Sequence, residues 1–309
     1  MHKYNLGQLS QQRFVTDGGA ETTLIFHHSL QLPEFAAFVL LKSDEGISLL
    51  QDYYRRYASI AEKYRVGFIL ESVTWRASAH WGEKLGYSHS ELAVANCQAI
   101  ELLEGIREEF SSVPMFISGC LGPRDDGYNP ADFMTVDQAE RYHRVQIETF
   151  KGTAANMVSA LTMTYFEEAL GITQAAKSLG VPVVISFTLE TNGKLPSGQS
   201  LSDAIQNLDE ASASYPVYYM INCAHPTHFE NILQQSDPCL QRVRGLRANA
   251  SALSHAQLDD AQILDDGNPS ELAQQYSRIG NTLKNLNVLG GCCGTDHRHI
   301  EAIIKAVSR

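Results

Sequence analysis

Two stretches of this 309-residue chain put cysteine where a strand pattern runs out. Asn287-Val288-Leu289-Gly290-Gly291-Cys292-Cys293-Gly294-Thr295 carries two adjacent cysteines in a run of glycines, after an apolar segment and before a helix start. Tyr218-Tyr219-Met220-Ile221-Asn222-Cys223-Ala224-His225-Pro226 delivers a third at the end of another apolar run. Cys223 alone could be a small core side chain, because cysteine is among the most buried residue types. Cys292 and Cys293 cannot both serve one core face, since strand side chains alternate, and a disulfide between adjacent residues is strained. Three thiolates converging from two strand ends make a tripod suited to Zn²⁺, with a fourth position left for a substrate. The glycines let the backbone pass close to the ion.

Such a tripod implies a particular chemistry. A free thiol is mostly protonated at neutral pH, and binding to zinc deprotonates it. With three thiolates already on the metal, a bound substrate sulfur stays electron-rich and nucleophilic. That suits attack on a methyl group of a sulfonium or ammonium donor, whose positive charge disappears in the transfer. Hydrolysis fits less well, because three thiolates blunt the Lewis acidity that activates water.

Polar residues gather at other strand ends. Arg13-Phe14-Val15-Thr16 runs into Asp17-Gly18-Gly19-Ala20-Glu21-Thr22, where Asp17 either caps the turn or faces whatever the strand lines. Gly67-Phe68-Ile69-Leu70-Glu71-Ser72-Val73-Thr74-Trp75-Arg76 turns from apolar to polar along its length. Trp75 is a large packing residue or a face for an onium methyl donor; an inward Arg76 would repel that donor. His225 and His228 flank a helix that starts at Pro226 and are read as surface imidazoles. His297 and His299 lie on the last helix and are read as solvated.

Asn-Cys followed far downstream by Gly-Gly-Cys-Cys-Gly-Thr resembles the homocysteine S-methyltransferase family, which includes betaine- and cobalamin-dependent members. The resemblance runs through most of the chain and implies zinc ligation by Cys223, Cys292 and Cys293. It also implies that Asp17 meets the amino group of homocysteine and the backbone beside it, at Gly18, the carboxylate. Glu21 in that segment, and Ser72 and Thr74 in the hydroxyl-rich one, are further expected substrate contacts. Two places depart from the family pattern. Leu161, before Thr162, stands where the family has a Glu that helps hold the amino group. Arg247-Ala248-Asn249-Ala250-Ser251 replaces a Tyr-Pro-Asn-Ser-Gly pattern.

The elements that must position these residues alternate. Eight strand candidates are interleaved with eight helical stretches, with no Pro/Gly/Ser-rich linker between them. This predicts a parallel sheet and, at this length, an α/β fold of the (β/α)₈ TIM-barrel type, one domain over residues 1–309. The singled-out residues fall at the C-terminal strand ends, where such barrels keep their active sites.

Composition sets the remaining bounds. Hydrophobic content of 44% and charged content of 19% are those of a soluble globular chain. A net charge of −11 argues against nucleic acid or anionic membrane as partners. Met1 to Gln8 lack the apolar core of a signal peptide, and no apolar run is long enough to cross a bilayer. Six cysteines in a chain this long form no disulfide framework, and reduced thiols suit the cytoplasm. The expected partners are a small-molecule thiol acceptor and a methyl donor, and the sequence specifies no oligomeric state. The expected reaction is zinc-dependent methylation of a thiol, homocysteine giving methionine, hence a place in methionine biosynthesis. The alternatives are a methyltransferase for another small thiol or selenol, or a non-catalytic zinc-binding or redox-sensing protein.

Overall fold

The computed structural model describes residues 6–128, 130–233 and 237–307. Met1 to Asn5, read above for a leader, lie outside them. Eight parallel strands close into a barrel: β1 (Phe14–Val15), β2 (Gly67–Glu71), β3 (Met115–Leu121), β4 (Met157–Met163), β5 (Val183–Phe187), β6 (Tyr219–Asn222), β7 (Val243–Ala248) and β8 (Val288–Gly291). Closure comes from β1 pairing with β8, Phe14 opposite Val288 and Val15 opposite Leu289. The main crossover helices are α1 (Asp44–Tyr64), α2 (His89–Glu109), α3 (Val136–Lys151), α4 (Phe166–Leu179), α5 (Leu201–Ser212), α6 (Pro226–Leu233), α7 (Pro269–Thr282) and α8 (His297–Val307). The single-domain barrel predicted from the alternation is the fold observed.

Local sequence explains the helix ends. The Thr135 side chain and Gln138 form a reciprocal capping box at the start of α3, and Ser88 with Glu91 does the same for α2. Gly180 ends α4 in the left-handed conformation, at φ 68°. α3 stops at Lys151, with Gly152 as its C-cap. His299 is fully buried instead of solvated; its ring bonds Asp296 and the Asp266 carbonyl, which ties α8 to the loop before α7.

Strand alternation divides the barrel into two zones. Val15, Phe68, Leu70, Val158, Ala160 and Leu246 point outward against the helices, in the main core. Phe14, Ile69, Phe116, Met157, Val184, Met220 and Val288 point inward and fill the N-terminal part of the barrel with apolar packing. One step further along the same inward faces the character changes: Ser118 and Ser159, then Glu71, Asn222 and Arg247. The barrel is therefore a dry plug below and a polar floor above, and that floor carries the site.

Tyr276 on α7 pins the last two strands together. Its hydroxyl donates to the Gly290 carbonyl at 2.6 Å and accepts from the Ala248 N–H at 2.8 Å, in a fully buried position. Tyr276→Phe would leave that N–H without a partner, at a cost of about 1–3 kcal/mol. Urea unfolding should show a lower midpoint with an unchanged slope.

Candidate active site

The three cysteines meet at the C-terminal mouth of the barrel. Their Sγ atoms all lie within 4.8 Å of one another; Cys223 and Cys292 are paired as a disulfide and Cys293 is free. Reduction of that pair puts three thiols at one point. Backbone bonds set the convergence: the Cys223 N–H donates to the Arg247 carbonyl at 3.2 Å, and the Cys292 N–H to the Ala248 carbonyl at 2.9 Å. Cys223 itself adopts a left-handed backbone, at φ 53°, as the chain leaves β6. A Cβ on Gly291 would strike the Thr295 hydroxyl, so the Gly-Gly of the motif admits the chain where a side chain would not fit.

A layer of polar side chains backs the sulfurs. Asn222 donates to Thr162 Oγ1 at 2.8 Å while its Oδ1 accepts from the Thr162 N–H at 2.8 Å and from Ser186 Oγ at 2.6 Å. Tyr128, from the loop after β3, brings its hydroxyl to 3.5 Å from Cys293 Sγ. The His255 ring stacks on Tyr128 with centroids 3.9 Å apart, donates through Nε2 to the Cys223 carbonyl at 2.7 Å, and lies 3.0 Å from Glu190 through Nδ1. Burial pushes the Cys293 thiol up to about 11, so without a metal it is protonated at neutral pH. His225 and His228 take no part: one faces the Thr227 hydroxyl and the other donates to the Ala252 carbonyl.

A cavity of about 450 Å³ opens over the cysteines. Among the described residues, seven carboxyl side chains but only two guanidiniums, Arg76 and Arg247, lie on its wall. Asp17, Gly18, Glu21 and Ser72 are on it, and Leu161 faces it as an apolar patch. Thr74, expected to face a substrate, is buried off the wall. Its hydroxyl donates to the Cys120 carbonyl at 2.7 Å and sits 2.7 Å from Ser72 Oγ, which in turn accepts from the Cys120 N–H at 2.9 Å. These hydroxyls stitch β2 to β3. The Trp75 face is covered: the Arg76 guanidinium lies 4.1 Å from the Trp75 ring and 3.5 Å from that of Trp81. Burial pulls Arg76 down to about 10, still charged at neutral pH.

Two buried ionic groups on the barrel floor were not assigned roles from sequence. Arg247 Nη2 donates to Asp17 Oδ1 at 2.8 Å, and Tyr53 donates to Asp17 Oδ2 at 2.9 Å. Burial works against the Arg247 charge, but Asp17 and Glu71 outweigh it and push the guanidinium pKa up. Glu71 accepts from Ser159 at 3.0 Å, and its second oxygen is buried without a partner. Burial pushes Glu71 up to about 7, and Glu21 likewise to about 7. Alternation could have found both floor residues, since Glu71 follows inward Ile69 by two and Arg247 follows Gly245 by two.

A model of the family described as homocysteine S-methyltransferase matches residues 14–307. The chain belongs to the homocysteine S-methyltransferase family. It is 22% identical over 315 residues to homocysteine S-methyltransferase 1 of Arabidopsis thaliana, covering 96% of this chain and 93% of that protein. A Brassica oleracea var. italica protein of the same name is 22% identical over 181 residues, 57% of this chain and 53% of that one. The homocysteine methyltransferase MmuM of Escherichia coli has the same barrel. Its metallated form superposes with a TM-score of 0.75 at 19% identity over 97% of this chain and 98% of that one. Its oxidized form gives 0.74 at 19% identity, over 96% of each. Family membership makes this chain a methyltransferase and sets aside the non-catalytic reading.

The raised Glu71 pKa makes stability depend on pH. A carboxyl that binds its proton more tightly when folded contributes stability that is complete below its unfolded pKa and is lost as pH rises through about 7. That loss amounts to at most about 3 kcal/mol between pH 4.5 and 7. Glu71→Gln should flatten this part of the profile and make the variant more stable than wild type at pH 8, as read by chemical denaturation across the range. Parallel profiles for the two proteins would show that Glu71 titrates normally.

Proposed function

We propose that the protein is a zinc-dependent S-methyltransferase that moves a methyl group from a sulfonium or ammonium donor to a small thiol, of which homocysteine is the family's acceptor. The observation that carries this reading is the meeting of three cysteine sulfurs under a cavity large enough for two small substrates. The metallated form of the E. coli relative supports a metal in this site. Cys223, Cys292 and Cys293 would hold it, and a soft thiolate set suits zinc over the harder cations. Bound there, zinc supplies a Lewis acid that deprotonates the acceptor thiol and keeps its sulfur nucleophilic.

The remaining work falls to the protein. Asn222, Thr162 and the Tyr128 hydroxyl lie against the sulfurs, fixing their positions and donating toward their charge. Asp17, Gly18, Glu21 and Ser72 form the wall that receives the acceptor. The excess of carboxyl groups around the cavity favours a cationic donor over an anionic one. In the transfer a carbon–sulfur bond forms on the acceptor. The donor's bond to the methyl breaks, its electron pair stays with the donor sulfur or nitrogen, and the donor leaves one positive charge poorer. The acceptor's proton goes to solvent. A site built on three oxidisable thiols fits the reducing cytoplasm, and its product fits methionine biosynthesis.

Purified under reducing conditions, the protein should bind about one zinc per chain, read by elemental analysis. Cys223→Ala, Cys292→Ala and Cys293→Ala should each lose activity and weaken zinc retention by orders of magnitude. Full zinc occupancy in any of the three overturns the tripod. Methylated product should be detected by mass spectrometry from a matrix of thiols and onium donors. Because the acceptor must ionise, its binding to the zinc-loaded protein should release about one proton below pH 8. Calorimetry in buffers of different ionisation enthalpy measures that release.

A further inference from the structure

The buried Cys223 has a left-handed backbone, and a conformation of this kind persists only where the surroundings over-determine it. Its N–H is held by the Arg247 carbonyl at 3.2 Å, and the next carbonyl, of Ala224, accepts from the Asn249 N–H at 3.1 Å. The Cys223 carbonyl between them takes two side-chain donors, His255 Nε2 at 2.7 Å and Thr188 Oγ1 at 3.3 Å. A carbonyl oxygen only accepts, so Nε2 of His255 carries a hydrogen. None of these bonds involves the sulfur, so reduction of the Cys223–Cys292 pair leaves them in place.

The same imidazole reaches a second sulfur. Its ring lies flat on Tyr128, with centroids 3.9 Å apart and planes 9° from parallel, and the Tyr128 hydroxyl stands 3.5 Å from Cys293 Sγ. Nδ1 faces the Glu190 carboxyl at 3.0 Å. The backbone is fixed as well, since Ser254 and Gln257 form a capping box on the short helix His255–Asp259. His255 is buried behind Tyr128 and Cys223, which are both on the cavity wall. Glutamine donates to a carbonyl but offers no ring to stack, and phenylalanine stacks but donates nothing. Imidazole does both and keeps a second nitrogen for Glu190.

Resting on the zinc-dependent reading above, we infer that His255 is a positioning residue for the methyl transfer. Through the Cys223 carbonyl it holds the sulfur at the end of β6. Through the Tyr128 ring it holds a hydroxyl against the Cys293 sulfur after β8, and Glu190 sets the ring angle for both tasks. Loops after β3, β5 and β7 thereby act on two of the three proposed ligands from outside the cavity. Loss of outer support of this kind costs metal affinity, and it changes the donor strength and aim of the thiolates.

The test uses the full-length protein, reduced and loaded with zinc or with cobalt(II). Zinc loss to an excess of chelator gives a rate, and the thiolate-to-cobalt charge-transfer band reports the geometry of the sulfurs. His255→Ala should lose zinc about 10- to 100-fold faster than wild type and shift the cobalt band. His255→Gln keeps a donor for the carbonyl and loses the stack, so its effect should vanish in a Tyr128→Phe background, where the hydroxyl is already gone. His255→Phe keeps the stack and loses the donor, so its effect should persist there and add to that of Tyr128→Phe. A merely structural role would lower the unfolding midpoint and leave the cobalt band of the folded protein unmoved. Wild-type zinc loss and an unshifted band in folded His255→Ala overturn the inference and leave thiol methylation standing. So does full additivity of His255→Gln with Tyr128→Phe. Where the His255 variants do not fold, Glu190→Ala serves instead, since Glu190 is half-buried and its loss leaves the ring free to turn. It should speed zinc loss several-fold, and an unchanged rate overturns the inference. Wild-type protein that takes up neither metal overturns this inference and the zinc-dependent reading together.

Discussion

The seating of β8 between β1 and β7 is the constraint on which the site depends. On one side the Thr16 N–H donates to the Leu289 carbonyl at 2.9 Å and the Gly291 N–H to the Asp17 carbonyl at 3.0 Å. On the other the Cys292 N–H reaches the Ala248 carbonyl at 2.9 Å. These bonds close the barrel, and they also decide where Cys292 and Cys293 emerge relative to Cys223. Strand side chains have a period of two, so a slip of one residue would turn Gly290 outward and carry the cysteines away from the barrel axis. Glycine at 290 makes the seating possible, because a Cβ there would land on the Thr16 hydroxyl. Fold closure and site assembly are one event.

The floor beneath the cysteines is held by charge as much as by packing. Asp17 lies just beyond the end of β1 and Arg247 near the end of β7, so their ion pair spans β8 from one side to the other. A buried pair of this kind adds little net stability when compared with a hydrocarbon replacement, yet losing one partner strands the other in a medium that cannot solvate it. The carbonyls of Gly18 and Gly291 share the guanidinium, which ties its orientation to backbone that is itself fixed by barrel closure. Rigidity at the floor thus comes from the same strands that carry the cysteines. The loop after β3 and the turn around His255 reach across the mouth and meet by stacking of Tyr128 on His255. The site is framed from below by strands and from above by loops.

Much of this was legible in the residues. Strand patterns alternating with helical ones gave the barrel, and the spacing of Asn-Cys and Gly-Gly-Cys-Cys gave the three sulfurs that meet. Strand ends were legible because apolar runs stop abruptly where the barrel opens. What sequence did not reveal was which polar groups were already spoken for. Ser72 and Thr74 stand in a hydroxyl-rich segment, but their hydroxyls serve the neighbouring Cys120 backbone, a partner far away along the chain. His255 resembles any loop histidine until the fold brings it to the Cys223 carbonyl. Trp75 offered an aromatic face, and only packing reveals that Arg76 covers it. Each of these depends on contacts between distant segments, where local periodicity carries no signal.

Cys223 leaves β6 with a backbone that few residues other than glycine adopt readily, at φ 53°. For a side chain with a Cβ this conformation costs about 1 kcal/mol or more, and here it aims the sulfur at Cys292 and Cys293. The sulfur and the backbone therefore make opposing demands on the residue type at this position. A lineage that no longer needed the thiolate would be released toward glycine or asparagine there, with the barrel unharmed or slightly relieved. Among related barrels, glycine at the end of β6 is thus the expected mark of a member that has abandoned this chemistry, and the loss would be fixed by gain in foldability as well as by drift.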